Sequence, residues 1–328
     1  MKDKLLSIYI PTYNRPNEIQ KQVRLLLPQL NNNVNLVVLD NCSDISVKEL
    51  FSPEELLKFT IKCNKINIGA DANIARCFED CSTPWLWTLS DDDYVKTNSV
   101  EIVLNEILNN KDTVFICFGN DHFSEIAGFE KLAFEFRKIK TFTMSFAMSY
   151  CAYNISKLQP SLQIYYNYLS SMVGTIILVL KYIQNNKNEI CIFTNKNPIE
   201  FYTKEVGWNY AIFINRSKLF LEAFETNKSF NKTLFLGCHK TNYQLLILDR
   251  KGSNLTYKQK WKTYLQIIKN QGFINAIMYS PKYMIYVFLS LIIGNDRFKK
   301  ILSQASLLKK RFNKRENVRE VKSSINHR

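Results

Sequence analysis

Histidine is nearly missing from this chain, with three in 328 residues (His122, His239 and His327), and no two of its eight cysteines form a C-x-x-C pair. A zinc cluster is therefore not expected. The cysteines, at 42, 63, 77, 81, 117, 151, 191 and 238, are scattered through a chain too large to need a disulfide framework. The first residues, Met1-Lys-Asp-Lys-Leu-Leu-Ser, lack the apolar stretch of a secretory signal. The expectation is a cytoplasmic protein with reduced thiols. Glycine (9) and proline (8) are too few for a collagen-like or linker-dominated chain. Neither G-x-G-x-x-G nor G-x-x-x-x-G-K-[ST] occurs, which disfavours dinucleotide-type and P-loop enzymes.

Apolar residues make up 46% and charged residues 22%, a globular balance. The net charge of +15 calls for an anionic partner. Between Arg297 and Arg328 lie eleven basic residues against Glu316 and Glu320, so this tail holds +9 of the total.

The first 120 residues alternate strand and helix signals. Apolar, β-rich runs cover Leu5–Ile10, Leu36–Leu39, Phe59–Cys63, Trp85–Leu89 and Thr113–Phe118. Helical spacing covers Asn17–Leu30, Asp71–Cys81 and Asn98–Leu108, with Asn98 placed as a cap. This order predicts an α/β fold with a mostly parallel sheet covered on both faces, followed by a helical C-terminal region. Leu158–Leu180 contains no charge, but Gln163, Asn167, Ser170 and Ser171 dilute it, so the apolar run Met172–Ile183 reads as a buried helix rather than a membrane span. Glu189–Phe193 reads as an edge strand. Trp208–Phe224, Thr233–Leu248 and Lys260–Lys269 read as helices. The expected divisions are 1–120, 121–250 and 251–328, the last ending in the basic tail.

In open α/β sheets ligands bind beyond the carboxyl ends of strands. Three polar loops fall there: Pro11-Thr-Tyr-Asn-Arg15, Asp40-Asn-Cys-Ser-Asp44 and Ser90-Asp-Asp-Asp93. Three adjacent carboxylates repel one another unless a cation intervenes. Oxygen ligands select Mg²⁺ or Mn²⁺, which usually also hold substrate phosphates. The plain alternative is a solvated acidic turn ahead of a helix; the preceding strand and the two companion loops favour the metal. Asp40 can accept hydrogen bonds from a base or ribose, or simply form a turn. Pro11 and Thr12 can set backbone groups against a base, and Arg15 can pair with a phosphate. Gly69, between Asn67 and Asn73 at a strand-to-helix turn, permits positive φ and close approach of a ligand.

Four ordered segments, SIYIPTYNRP (7–16), VVLDNCSD (37–44), NIGADANIARC (67–77) and WLWTLSDDDYV (85–95), resemble glycosyltransferase family 2, of the GT-A fold. The last two are similar to the abequosyltransferase-like branch of bacterial O-antigen and capsule enzymes. The resemblance covers about residues 5–120. It implies nucleotide-sugar binding by Pro11, Thr12, Asn14, Arg15, Asp40, Asn67, Gly69, Asn73, Asp91 and Asp92, with Mn²⁺ or Mg²⁺ on Asp91 and Asp93. The commoner family form of the acidic motif is Asp-x-Asp-Asp; here Ser90 takes the first place. Many members carry Glu-Asp at a later helix start, where the Asp is the general base of inverting transfer. Here the corresponding start reads Met172-Val-Gly-Thr, and no acidic residue lies between Glu135 and Glu189. Asp121, His122, Glu200 and Glu205 are the remaining candidates.

The expected activity is metal-dependent transfer of a sugar, a hexose or a related residue, from a nucleotide donor, UDP before dTDP, GDP or CDP. By the same resemblance the transfer inverts. The acceptor would be a glycan, lipid-linked, in surface-polysaccharide assembly. The apolar segment Phe273–Ile293, divided by Pro281-Lys282, would lie in the membrane interface, and the tail would add attraction to anionic lipid on the inner face of the cytoplasmic membrane. A nucleotidyltransferase would share the acidic metal site but needs a Gly-rich basic loop absent here. An RNA-binding protein would use the tail, yet no RNP-type aromatic motif occurs, so no nucleic-acid partner is expected.

Overall fold

The structure is a computed structural model. It describes residues 4–200 except 137, 139–140 and 142–143, and beyond them 222–224, 273–279, 281–294 and isolated positions between 258 and 304. The expected helices 208–224 and 233–248 fall almost entirely outside the described residues. The chain divides into two compact units, Met1–Gly237 and Cys238–Arg328.

The first unit is built on one eight-stranded sheet. Its strands are β1 (Leu6–Thr12), β2 (Val34–Asp40), β3 (Thr60–Cys63), β4 (Trp85–Thr88), β5 (Phe115–Cys117), β6 (Ser124–Ala127), β7 (Cys151–Asn154) and β8 (Ile190–Phe193). The spatial order is β3-β2-β1-β4-β7-β5-β8-β6. Four pairings are parallel and three antiparallel. The five strand runs read from the first 120 residues are all present. Their central members are largely apolar because both sheet faces are covered; Ile8, Ile10, Val38, Leu86 and Trp87 are buried.

Helices α1 (Pro16–Leu26), α2 (Ala70–Asp80), α3 (Ser99–Asn109), α4 (Phe129–Glu135) and α5 (Gly174–Asn185) follow their strands or cover the sheet. Pro16 opens α1, where its missing N–H costs nothing. The helix buries Ile19, Gln22, Val23 and Leu26, one face at three- and four-residue spacing. Asn98 stands at the cap of α3, but its side chain makes no cap hydrogen bond.

The second part of the sheet departs from the sequence reading. β6 and β7 were not foreseen. β8 is not an edge strand: it lies between β5 and β6 and pairs with both. The two halves divided at residue 120 share this sheet, since β7 inserts between β4 and β5. The uncharged stretch 158–180 is not one helix. Pro160 starts a 3-10 turn, and Met172 takes a left-handed conformation (φ 55°), so α5 begins only at Gly174. α5 is nevertheless buried along most of its length, as expected. No described helix is long and apolar enough to cross a membrane.

Gly174 opens α5 directly against the buried Tyr165 ring, where an added Cβ would collide. Gly174→Ala is expected to destabilise the protein by about 1–3 kcal/mol, read by denaturant unfolding.

In the second unit the described part contains α6 (Phe273–Tyr279) and α7 (Pro281–Ile293). Pro281 ends one helix and starts the next, as its lack of an N–H requires. The described positions between 258 and 269 are helical, matching the expectation for 260–269.

Candidate active site

Parallel pairing in register sets Thr12 of β1 opposite Asp40 of β2, so both stand at the same carboxyl edge. β4 ends beside them, with Thr88 opposite Tyr9, and the Ser90–Asp93 turn follows. The three loops singled out in the sequence thus meet at one end of the sheet.

Asp91 is the buried member of the acidic turn, 5% exposed. Its Oδ2 accepts from the Thr12 hydroxyl (2.8 Å) and its Oδ1 from Arg15 Nη1 (2.8 Å). The same Nη1 lies 2.8 Å from Asp92 Oδ2, while the Ser90 hydroxyl donates to Asp92 Oδ1 at 2.6 Å. Burial pushes the Asp91 carboxyl above its ordinary range; the Thr12 and Arg15 contacts pull against that. Burial also pulls the Arg15 guanidinium down, but hydrogen bonds to Asp92 and Asp91 outweigh it and hold the group firmly charged.

Asp93 Oδ2 accepts from the Ser149 hydroxyl at 2.7 Å. Ser149 Oγ in turn accepts from the Ser90 N–H, and the Ser149 carbonyl accepts from Trp87 Nε1. Gln22 of α1 donates to the carbonyls of Ser90 (3.2 Å) and Asp93 (2.8 Å). Gln22 and Ser149 are fully buried and fix the shape of the turn. The sequence reading missed both. A glutamine on the apolar stripe of α1 was the available signal for the first; nothing local marks Ser149, which reaches the turn from 56 residues away.

Asn14 has φ 53°, a region asparagine tolerates. Its side chain donates to Asp44 Oδ2 and accepts from the Asp44 N–H, tying the first loop to the second. Asp40 is buried, and its Oδ1 accepts from the Ser43 N–H and hydroxyl. Its Oδ2 accepts a weak bond from the Cys63 thiol. In this structure Asp40 therefore organises its own loop. Pro11 lies within β1, opposite Leu39. A cleft of about 220 Å³ opens between these loops, with Thr12, Asn14, Arg15, Ser43 and Asp44 above an apolar floor that includes Ile19 and Val47.

Asn67 and Asn73 belong to a second network. Asn64 donates to Asn41 and Asn73, Asn41 donates to Asn67, and Asn73 donates to the Leu39 carbonyl. Arg76 closes the network on Asn64. Gly69, at φ 86°, begins α2 with open space where a Cβ would stand, so backbone conformation is what calls for glycine there.

The four base candidates separate. Asp121 and His122 are exposed, and His122 Nε2 lies 2.9 Å from Lys138 Nζ. Glu205 lies outside the described residues. Glu200 is exposed, and its N–H donates to the Tyr94 carbonyl at 2.8 Å. Val95 and Ile199 form an antiparallel bridge, the Lys96 N–H donates to the Pro198 carbonyl, and the Ser99 hydroxyl bonds the same carbonyl. These bonds place Glu200 beside the residue that follows Asp93.

Among the described residues no three His, Cys, Asp or Glu side chains are gathered as a ready-made cation site. A Mg²⁺-type ion that brings phosphates with it needs only one or two protein carboxylates. Asp91 and Asp92 already converge on one cationic nitrogen, Arg15 Nη1, and Asp93 belongs to the same turn. The donor set, all carboxylate oxygen, fits Mg²⁺ or Mn²⁺ and not a softer metal.

A mostly parallel sheet with polar loops at its carboxyl edge is a GT-A-like α/β fold. Residues 7–162 match the model of Glycosyl transferase family 2. An uncharacterized glycosyltransferase of Haemophilus influenzae is 32% identical over 114 residues, 34% of this chain and 37% of that protein. The match thus spans well under half of the relative's length. Among solved structures, S. aureus TarS 1–349 superposes with a TM-score of 0.61 at 10% identity, over 92% of both chains. The same TarS fragment in complex with UDP-GlcNAc gives the same values. At that identity the likeness establishes the fold.

Proposed function

We propose that the protein is a glycosyltransferase that moves a sugar from a nucleotide-sugar donor, UDP before other nucleotides, to a glycan acceptor. The observation that carries this is that Thr12 and Arg15, which line the cleft, both bond to Asp91 of the acidic turn. The nucleoside enters the cleft of Asn14, Ser43 and Asp44 over its apolar floor. Arg15, already aimed at the acidic turn, faces the diphosphate, and Pro11, Thr12 and Asp40 hold the loops that frame the base. Asn67, Gly69 and Asn73 shape the adjoining wall.

Asp91 and Asp93 would hold Mg²⁺ or Mn²⁺, with Asp92 beside them; the ion supplies charge stabilisation for the departing nucleoside diphosphate. Of the base candidates we choose Glu200, because its backbone is fastened to the strand leaving the acidic turn. It takes the proton of the acceptor hydroxyl as that oxygen attacks the anomeric carbon from the face opposite the leaving group, so configuration inverts. The two motifs at 67–77 and 85–95 support a place in the abequosyltransferase-like branch of surface-polysaccharide (O-antigen or capsule) enzymes. That setting implies a lipid-linked acceptor and a peripheral position on the inner face of the cytoplasmic membrane.

Thermal unfolding tests the donor reading. A ligand at 100 times its Kd adds about 2.7 kcal/mol, which raises Tm by roughly 5 °C or more for a unit of this size. UDP with Mn²⁺ is expected to give such a shift, and Arg15→Ala to remove most of it. If no nucleoside diphosphate moves Tm with or without Mn²⁺, the proposal fails.

A further inference from the structure

α6 and α7 turn apolar side chains outward. On α7 the large apolar residues described as exposed are Ile285, Phe288, Leu289 and Ile292, spaced three, four and seven apart on one helical face. The other side of the same helix holds the buried Val287 and Ser290, and the Ser290 hydroxyl is satisfied by the Tyr286 carbonyl. α6 likewise exposes Ile274, at 72%, and Met278. A soluble helix normally shows water its polar face; both of these expose large apolar side chains instead.

Charge says what covers them. No acidic residue occurs from Phe273 to Ile293, and after Asp296 the chain enters the segment with eleven basic residues and two acidic ones. Arg297 and Lys300, just beyond α7, are exposed. A second copy seated here would bring a second +9 tail against the first. An anionic lipid surface instead supplies both hydrocarbon for the stripe and counter-charge for the tail. At 1.5 Å per residue α7 is about 20 Å long, short of the ~30 Å hydrocarbon core, so it lies in the interface.

We infer that α6 and α7 form a monotopic docking face, in which Ile285, Phe288, Leu289 and Ile292 enter the acyl boundary of an anionic leaflet while the basic segment after α7 holds the headgroups. The choice of a membrane as partner rests on the lipid-linked acceptor proposed above, whereas the face itself rests on exposure and charge.

The test is cosedimentation of the full chain with phosphatidylcholine vesicles and with vesicles containing phosphatidylglycerol, at about 0.1 M salt, where screening reaches ~10 Å. The protein is expected to pellet with the anionic vesicles and to be largely released by about 1 M salt. Phe288→Asp with Ile292→Asp is expected to lower the bound fraction at least tenfold, with unchanged circular dichroism and an unchanged UDP thermal shift. The fluorescence that Phe288→Trp adds, read as a difference spectrum from the parent, should move to shorter wavelength with anionic vesicles and stay put with neutral ones. Equal binding of parent and double-aspartate protein overturns the inference, as does a Phe288→Trp difference spectrum blind to anionic lipid. A parent dimer that the aspartates dissolve, with no vesicle binding, also overturns it and makes a second copy the occupant. Vesicle binding without any nucleotide-induced Tm shift would support the face and sink the donor reading instead.

Discussion

Asp93→Asn is expected to lower kcat by about 10²–10³-fold while the fold survives. The amide oxygen can still accept from Ser149, so the bond that fastens the turn to the far side of the sheet is kept. The backbone bonds from Gln22 to Ser90 and Asp93 do not involve the replaced group. What is lost is one negative charge at a turn proposed to hold a divalent ion. Such an ion contributes several kcal/mol to a transition state that gathers negative charge, and each 1.36 kcal/mol is a factor of ten in rate. Transfer kinetics, circular dichroism and calorimetric titration with Mn²⁺ should be measured together. Ser149→Ala provides the contrast, because it removes that hydrogen bond without removing the carboxylate's charge. If Asp93→Asn is folded, binds Mn²⁺ like the parent and turns over at more than a third of the parental rate, the metal assignment is wrong.

Glu200→Gln is expected to cost about 10²–10⁴-fold in kcat, the usual contribution of a positioned base, with little change in KM for the donor. The amide keeps the size of the side chain, and the Glu200 N–H bond to Tyr94 belongs to the backbone, so the pairing of 198–200 with 94–96 persists. The dependence of kcat on pH separates a chemical role from a structural one. The limb on which activity rises as a base loses its proton should vanish in Glu200→Gln, whereas mere loosening of the loop would scale the whole profile down. If Glu200→Gln keeps the parental profile while Asp121→Asn flattens it, the base is Asp121.

The donor-side strands could be read in the sequence because β1, β2 and β4 are buried on both faces, so their residues are apolar almost without interruption. The strand-end rule then located Thr12, Arg15 and the Asp91–Asp93 turn without coordinates. What the residues do to one another was less legible. Asp40 looks like a ligand-binding carboxylate from its position, yet its Oδ1 is taken up by Ser43, a contact that depends on the turn after β2. Asn67 and Asn73 looked like ligand contacts and prove to be tied to Asn41, Asn64 and Leu39, three consequences of loop shape that no spacing rule encodes. β7 was invisible because four residues, Cys-Ala-Tyr-Asn, have neither the length nor the alternation of a strand, and only their partners make them one. Glu200 came within reach of the acidic turn through backbone bonds formed across about one hundred residues, the kind of information local patterning lacks.

The place of β7 has a consequence for how the chain is made. Trp85 of β4 pairs with Asn154 and Trp87 with Ala152, so one side of the donor half has no hydrogen-bonding neighbour until β7 has been synthesised. At 5–20 residues per second, the roughly 65 residues between these strands take about 3–13 s to translate. Throughout that time the nascent chain presents an open edge carrying Leu86 and Trp87, beside a turn of three mutually repelling carboxylates that Ser149 has not yet reached. Such high contact order makes folding slow and late, and a chain released near residue 120 is left with the sticky edge and no partner to close it.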